Sequence, residues 1–151
     1  MMRARCLLAG LLLWVVAAAA VADDMLMVRS SEAFAETMLL LQEAISAQGY
    51  TLSRVQRVDI GLTEFGYETD KYRVVFFGKP EEIRSLSARY PELIPHLPLQ
   101  IAIFAEAEET LLATANPTYL SEAYGDPELT ALFLRWEQDL RAILERVRRK
   151  K

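Results

Sequence analysis

The sequence predicts an α+β domain, a two-layer sandwich in which a mostly antiparallel sheet carries helices on one face. First, apolar periodicities of two residues alternate with periodicities of three to four residues, in the order β-α-β-β-α-β-β-α. Second, links of hairpin length join several strands, which favours antiparallel pairing. Third, the segment after Pro127 is a long amphipathic helix, and its apolar stripe needs a flat partner such as a sheet.

The first half of the domain is predicted to hold three strands and one helix. A short apolar stretch at residues 25–30 is the first strand, and Ser31 then serves as the N-cap of the helix. Gly49 ends this helix as a C′ glycine. Residues 50–62 are predicted as a bulged strand, because the apolar alternation changes phase along them. Residues 72–77 form the clearest strand, with apolar side chains on both faces.

The second half is predicted to hold two helices, a strand hairpin and a proline-rich link. Pro80 suits the first turn of a helix, and Asp126 suits the N-cap of the last helix. Three prolines between residues 91 and 98 exclude regular structure there. In chain order, the predicted elements are a helix at 80–89, the irregular stretch at 91–98, strands at 99–106 and 110–115, a helical turn at 119–123 and the last helix from 127 onward.

The first 22 residues are predicted to be a signal peptide that is removed from the mature protein. Arg3 and Arg5 precede an apolar run at residues 7–21, and a small-x-small pattern then allows cleavage after Ala22. The mature chain, residues 23–151, is then a single periplasmic or secreted domain. The alternative is an uncleaved segment that anchors the protein in the membrane, although the run is shorter than the ~20 apolar residues of a spanning helix.

Charge and cysteine content exclude several functional classes for the mature domain. With two of the 17 basic residues in the signal peptide, 15 remain against 21 acidic ones, a net charge of −6. Such a domain has no general attraction for nucleic acid. The single cysteine, Cys6, leaves with the signal peptide, so the domain has no disulfide. A basic cluster at residues 146–151 either contacts an anionic membrane surface or forms a solvated helix end.

Five short motifs are spread over most of residues 25–145. In chain order they are Phe34-x-Glu36-Thr37, Gly49-Tyr50, Phe76-Phe77-Gly78-Lys79-Pro80, Leu97-Pro98-Leu99-x-Ile101-x-Ile103-x-x-Glu106 and Asn116-Pro117. Together they resemble the DUF302 family, small bacterial domains of unknown function with a TT1751-like fold. The resemblance implies a TBP-like β-α-β(4)-α arrangement, here with an extra helix between strands, and commonly a homodimer; it implies no activity. Lys79 stands where the family usually has Asn, and the signal peptide indicates an exported subgroup.

His96 is the candidate general acid or base, because it is the only histidine and its side chain titrates near neutral pH. Catalysis also requires a carboxylate within hydrogen-bond reach, and the candidates are Glu36 and Glu106. The structural alternatives are a surface-loop histidine and, for Glu36, an exposed acid that stabilises the start of its helix. One histidine and no cysteine leave too few donors for a zinc or haem site, so no metal and no cofactor are predicted.

Aromatic side chains on the predicted strands are the candidate ligand-binding residues. Tyr72, Phe76 and Phe104 are placed to line a pocket or a dimer face on the sheet. Because the strand at 72–77 is apolar on both sides, its second face needs a partner subunit or a ligand to cover it. The sequence therefore predicts an exported binding or structural accessory domain, a homodimer with a small apolar ligand on the sheet face. The alternative is a small-molecule enzyme that uses His96 and a carboxylate as acid and base.

Overall fold

Five strands form one antiparallel sheet in the computed structural model, which describes residues 24–69 and 71–148. The strands are β1 (Met25–Ser30), β2 (Thr51–Arg57), β3 (Tyr72–Gly78), β4 (Leu99–Glu106) and β5 (Glu109–Ala115). The helices are α1 (Phe34–Ala47), α2 (Val58–Thr63), α3 (Pro80–Arg89), α4 (Leu120–Tyr124) and α5 (Pro127–Arg148), with 3₁₀ segments at Pro91–His96 and Pro117–Tyr119. The predicted signal peptide, residues 1–22, and the last three residues of the basic cluster lie outside the described residues.

The strand order across the sheet is β1-β5-β4-β3-β2, with every neighbouring pair antiparallel. Helices α1 and α5 cover one face, which confirms the predicted two-layer α+β sandwich. Because strand side chains alternate between faces, every second residue of the inner strands is buried beneath these helices. The side chains that the strands contribute to this core are Leu26, Val75, Phe77, Ile101, Ile103 and Leu112.

A second apolar cluster lies beside the sheet, where the first half of α5 meets α3, α4 and the 3₁₀ segment Pro91–His96. Its largest members are Phe133 and Trp136, both about fully buried, and their rings are 5.8 Å apart. Burial of an aromatic side chain of this size contributes about 1.5–3 kcal/mol. The second half of α5 packs instead on the sheet, so this one helix joins the two clusters.

Gly49 ends α1 as predicted, and it does so in a left-handed conformation with φ of +76°. The N–H of Gly49 donates to the carbonyl of Ser46, and the N–H of Tyr50 donates to the carbonyl of Ile45. These two bonds form a Schellman motif, which satisfies the last carbonyls of the helix and turns the chain into β2. The motif also directs the Tyr50 side chain into the core.

The prediction of a strand through residue 62 is wrong, because the chain becomes helical at Val58. The last paired residues are Arg57 and Arg73, and β3 begins at Tyr72, so residues beyond Val58 have no residue of β3 opposite them. Asp59 is then buried beside these two arginines. The register of β2 against β3 shifts at residues 52–54, whereas the residues whose alternation suggested a bulge, 58–62, lie in a helix.

Two local expectations also differ from the structure. The N-cap of α1 is Ala33, without a side-chain hydrogen bond, and not Ser31. The neighbouring Ser30 is buried and accepts a hydrogen bond from the Thr37 hydroxyl, so the start of α1 is held from the strand side. The proline-rich stretch is partly regular, because residues 91–96 form a 3₁₀ segment whose first residue, Pro91, has no N–H to satisfy.

Candidate functional site

The sheet face opposite α1 and α5, called the open face here, carries apolar side chains that are exposed to solvent. They alternate along the strands with the buried core residues, and they include all three predicted ligand-binding residues. None of them is fully buried, and Met27 is 59% exposed. In strand order the apolar members are Met25, Met27, Leu111, Ala113, Ala102, Phe104, Tyr72, Val74 and Phe76.

A cavity of about 470 Å³ lies at one end of the open face and is called the aromatic pocket. Tyr72 and Phe104 are cross-strand partners, and their rings meet edge to face, with centroids 5.8 Å apart and planes at 67°. Tyr67, in the loop between α2 and β3, adds a third ring to the wall. The described residues that line it are Leu62, Tyr67, Thr69, Tyr72, Phe104, Ala105 and Glu106.

The charged group of the aromatic pocket is Glu106, at the end of β4. Its Oε2 accepts a hydrogen bond from Arg29 of β1, and both side chains are about half exposed. Glu109 lies 3.9 Å from the same guanidinium nitrogen. The pKa of Arg29 is raised, first by the hydrogen bond to Glu106 and then by the charge of that carboxylate. This end of the open face therefore carries two carboxylates and one cation.

A second cavity, of about 180 Å³, lies at the opposite end of the strands and contains His96. Its walls come from the proline-rich link, the ends of β4 and β5, and α5, and Phe76 reaches it from the open face. The His96 ring makes an edge contact with Tyr124 at 6.1 Å between centroids. No carboxylate is among the described residues that line this cavity.

The predicted catalytic residues do not converge in the described structure. His96 precedes β4 and Glu106 ends it, and the seven residue steps from Leu99 to Glu106 span ~23 Å at ~3.3 Å each. Glu36 is an exposed residue in the first turn of α1 and lines neither cavity. Direct proton transfer between His96 and either carboxylate requires hydrogen-bond contact, and Glu106 is far outside that distance.

The predicted ligand-binding residues are divided between the two cavities. Tyr72 and Phe104 share the aromatic pocket, while Phe76 lies with His96 at the other end of the open face. The alternation of β3 predicts that Tyr72 and Phe76 face the same side. Their separation by four residues, ~13 Å along a strand, places them in different cavities.

Sequence reasoning missed a polar network that ties α5 to the end of the sheet. The hydroxyl of Tyr50 donates to Oδ2 of Asp139 over 2.6 Å, and Lys79 lies 3.9 Å from the same oxygen. The Lys79 ammonium also sits 4.5 Å from the centroid of the Tyr50 ring. Burial raises the pKa of Tyr50, and the hydrogen bond to Asp139 raises it further, so the phenol stays neutral. Lys79 is therefore a structural cation.

Glu82 of α3 and Arg135 of α5 extend this network, because Arg135 also lies 3.6 Å from Oδ2 of Asp139. The Trp136 indole N–H donates to Oε1 of Glu82 over 3.1 Å, and Arg135 bonds the other oxygen of the same carboxylate. Pairing of β2 with β3 brings Tyr50 beside Lys79, which no local pattern signals. The network has no cavity of its own among those described above, and its role is to hold α3 and α5 together.

A metal site and a membrane-spanning helix are both absent from the described residues. Within residues 24–69 and 71–148, no three His, Cys, Asp or Glu side chains are grouped as a metal site requires. No helix in the same part of the chain has the length and apolar content to cross a membrane.

Comparison with known proteins identifies the family. No protein with a curated description matches the chain. The crystal structure of an uncharacterized conserved DUF302 protein from Bacillus stearothermophilus superposes with a TM-score of 0.74, over 84% of this chain and 100% of that chain. At 23% sequence identity this likeness shows the fold. The family model described as "Domain of unknown function DUF302" matches residues 26–147, which is most of the chain, and the chain therefore belongs to the DUF302 family.

Proposed function

We propose that this domain is an exported homodimeric binding module, an accessory protein whose working surface is the open face of its sheet. The supporting observation is the row of apolar side chains across the middle of that face. Met27 is 59% exposed, and its neighbours along the row, Ala113, Ala102 and Val74, are each partly exposed on the inner strands. Contact of this much contiguous apolar surface with water is unfavourable, so an occupant that covers it is bound by the hydrophobic effect.

A second copy of the chain is the occupant that the layout of the open face favours. Apolar side chains lie at its centre, while Arg29, Arg54 and Glu106 lie towards its edges, the pattern of an interface with an apolar core and a polar rim. Five strands at ~4.8 Å spacing and six residues at ~3.3 Å each give roughly 480 Å² in projection. The accessible area of the corrugated side chains exceeds this projection, and a standard interface buries ~800 Å² per partner.

The aromatic pocket at the end of the open face is the proposed place for a small ligand. Its volume of about 470 Å³ lies within the range of small-molecule sites, ~300–1,000 Å³. It joins apolar walls to a few polar groups, which is the composition that holds and orients a small molecule. Binding in this scheme needs no reaction, in keeping with the separation of His96 from Glu106.

Native mass spectrometry of the full-length gene product, recovered from a periplasmic extract, tests export and dimerisation together. The expected mass is that of two copies of residues 23–151, because the signal peptide is removed after Ala22. The variant Val74→Glu places a charge at the centre of the open face and is expected to give the mass of one copy. The matched control is Leu39→Glu, since Leu39 is 62% exposed on α1, away from the open face, and this variant should remain dimeric.

Three outcomes would overturn parts of this proposal. A monomeric wild-type protein at micromolar concentration, or a Val74→Glu protein that stays dimeric, removes the role of the open face as a dimer interface. Ala113→Glu on the neighbouring strand β5 repeats the test, and circular dichroism of both variants checks that they are folded. A chain that begins at Met1 in the membrane fraction replaces export with the uncleaved anchor.

A further inference from the structure

We propose that the aromatic pocket binds a small organic cation, an alkylated ammonium carried on an apolar body. This inference rests on the proposed function, because it names the ligand class of the pocket at the end of the open face. Its basis is the combination of ring walls with one carboxylate in the same cavity. The expected ligand therefore carries a positive charge, unlike the small apolar ligand that the sequence predicts.

The ring geometry suits a cation. The planes of Tyr72 and Phe104 meet at 67°, so the two rings form a corner, and Tyr67 stands on the same cavity wall with 63% of its surface exposed. Aromatic faces carry negative partial charge and attract alkylated ammonium groups within ~6 Å of the ring centroid. Methyl groups on the nitrogen also contact the rings, whereas a small hydrated metal ion makes no such contact.

The charges around the pocket favour a cation over a neutral or anionic ligand. Among the described residues that line it, Glu106 is the charged one, and none of them is Lys, Arg or His. An ionised carboxylate has about four acceptor sites. Arg29 bonds Oε2 alone, and Oε1 of Glu106 makes no hydrogen bond with the described residues. The net charge of −6 on the mature chain attracts cations further.

Arg29 is the internal competitor for the carboxylate. It lies on β1, outside the pocket lining, and Glu109 offers it a second carboxylate at 3.9 Å. A bound cation can therefore form an ion pair with Glu106 while Arg29 forms one with Glu109. Each charged group then keeps a partner of opposite charge. This arrangement predicts opposite effects for the loss of Glu106 and the loss of Arg29.

Calorimetric titration of the mature protein with choline, and separately with 3,3-dimethyl-1-butanol, tests the inference. The two probes have nearly the same shape, but the second has a carbon in place of the charged nitrogen. We expect choline to bind about five- to ten-fold more tightly than the neutral probe. Glu106→Gln should remove most of this difference, while Arg29→Gln should tighten choline binding about two- to five-fold. Glu108→Gln, which removes a charge from the adjacent exposed hairpin turn, should change choline affinity less than two-fold.

Several results would overturn the inference. Equal binding of the two probes, or no binding of either at 10 mM, removes the cation as the ligand class. If both Glu106→Gln and Arg29→Gln bind choline more weakly than the wild type, the ion pair between these residues has only a structural role. The oligomeric state of the same samples, measured without probe, reports on the dimer by itself, so a failure of cation binding is distinguishable from a failure of the proposed function.

Discussion

Asp59 is a single carboxylate that joins three segments of the chain. Its side chain is 4% exposed and accepts hydrogen bonds from Arg57 at the end of β2 and from Arg73 in β3. Its backbone carbonyl accepts from the Thr63 hydroxyl, which closes the short helix α2. The guanidinium of Arg73 also lies 5.8 Å from the centroid of the Phe34 ring in α1. A buried charge with two cationic partners stabilises the fold only while all three groups remain charged.

The loss of stability caused by replacing the Asp59 carboxylate should depend on pH. The hydrogen bond from Arg57 lowers the pKa of Asp59, and the charge of Arg73 acts in the same direction. Its contribution is therefore complete above the ordinary pKa of 3.8 and is lost as the pH falls through the lower pKa of the folded state. Asp59→Asn should be less stable than the wild type at pH 7 and at pH 5, and the gap should narrow below pH ~3.8.

Urea denaturation at several pH values measures this gap. The control is Glu64→Gln, because Glu64 is an exposed acid just beyond α2 and should not change the unfolding midpoint. A gap that stays constant down to pH 2, or that widens on acidification, would contradict the assigned role of the Asp59 charge.

Helix α5 is the longest element of the described structure, and its start depends on one cap. Oδ1 of Asp126 accepts from the backbone N–H of Glu128 over 2.7 Å and from that of Leu129 over 3.2 Å. Pro127 at the first helical position has no N–H to satisfy. The cap and the proline together confirm the predicted start of this helix. They also fix the first turn, from which Leu129 is buried against the second cluster.

Removal of the cap should weaken the domain by a moderate amount. Asp126→Ala leaves two N–H groups without their side-chain acceptor and is expected to lower the free energy of unfolding by about 1 kcal/mol. Thermal and urea unfolding followed by circular dichroism measure the effect. Asp126→Asn retains an acceptor oxygen and should recover most of the loss. Equal stability of the Ala variant and the wild type would show that packing alone holds the start of α5.

At the scale of the whole molecule, the domain has two apolar clusters and one helix that belongs to both. The first half of α5 contributes Phe133 and Trp136 to the cluster beside the sheet, and its second half contributes Ile143 and Val147 to the sheet core. Because a helix propagates cooperatively from turn to turn, loss of one half weakens the other. The two clusters are therefore expected to unfold together.

Truncation of Phe133 tests this coupling. Phe133→Ala opens a cavity at a fully buried position and should lower the free energy of unfolding by about 3–5 kcal/mol. Trp136, the only tryptophan among the described residues, reports on the cluster beside the sheet, and circular dichroism reports on the whole domain. The two signals should give one coincident urea transition in the wild type and in the variant. Leu134→Ala, at a 46% exposed neighbouring position, is the control, and two separate transitions would contradict a single cooperative unit.

Local sequence patterns, each within one segment, predicted most of the helices and strands and the arrangement of helices on one face of the sheet. The helix at 80–89 and the strand at 99–106 have the predicted bounds, because proline, periodicity and turn residues act over a few positions. Alternation also predicted that Tyr72 and Phe76 share one sheet face. The strand assigned through residue 62 failed because strand formation needs a partner, and the partner strand does not extend that far.

The sequence by itself determined the α+β class, most element bounds and the presence of apolar aromatic side chains on a second sheet face. Only the tertiary structure decided which of those side chains share a cavity, since the register between β3 and β4 makes Tyr72 the neighbour of Phe104. It also decided that His96 and Glu106 lie at opposite ends of β4, and that Glu106 joins the aromatic wall. Helical and strand patterns are local to one segment. Contacts between strands depend instead on the strand order and on the register, and no single segment encodes these.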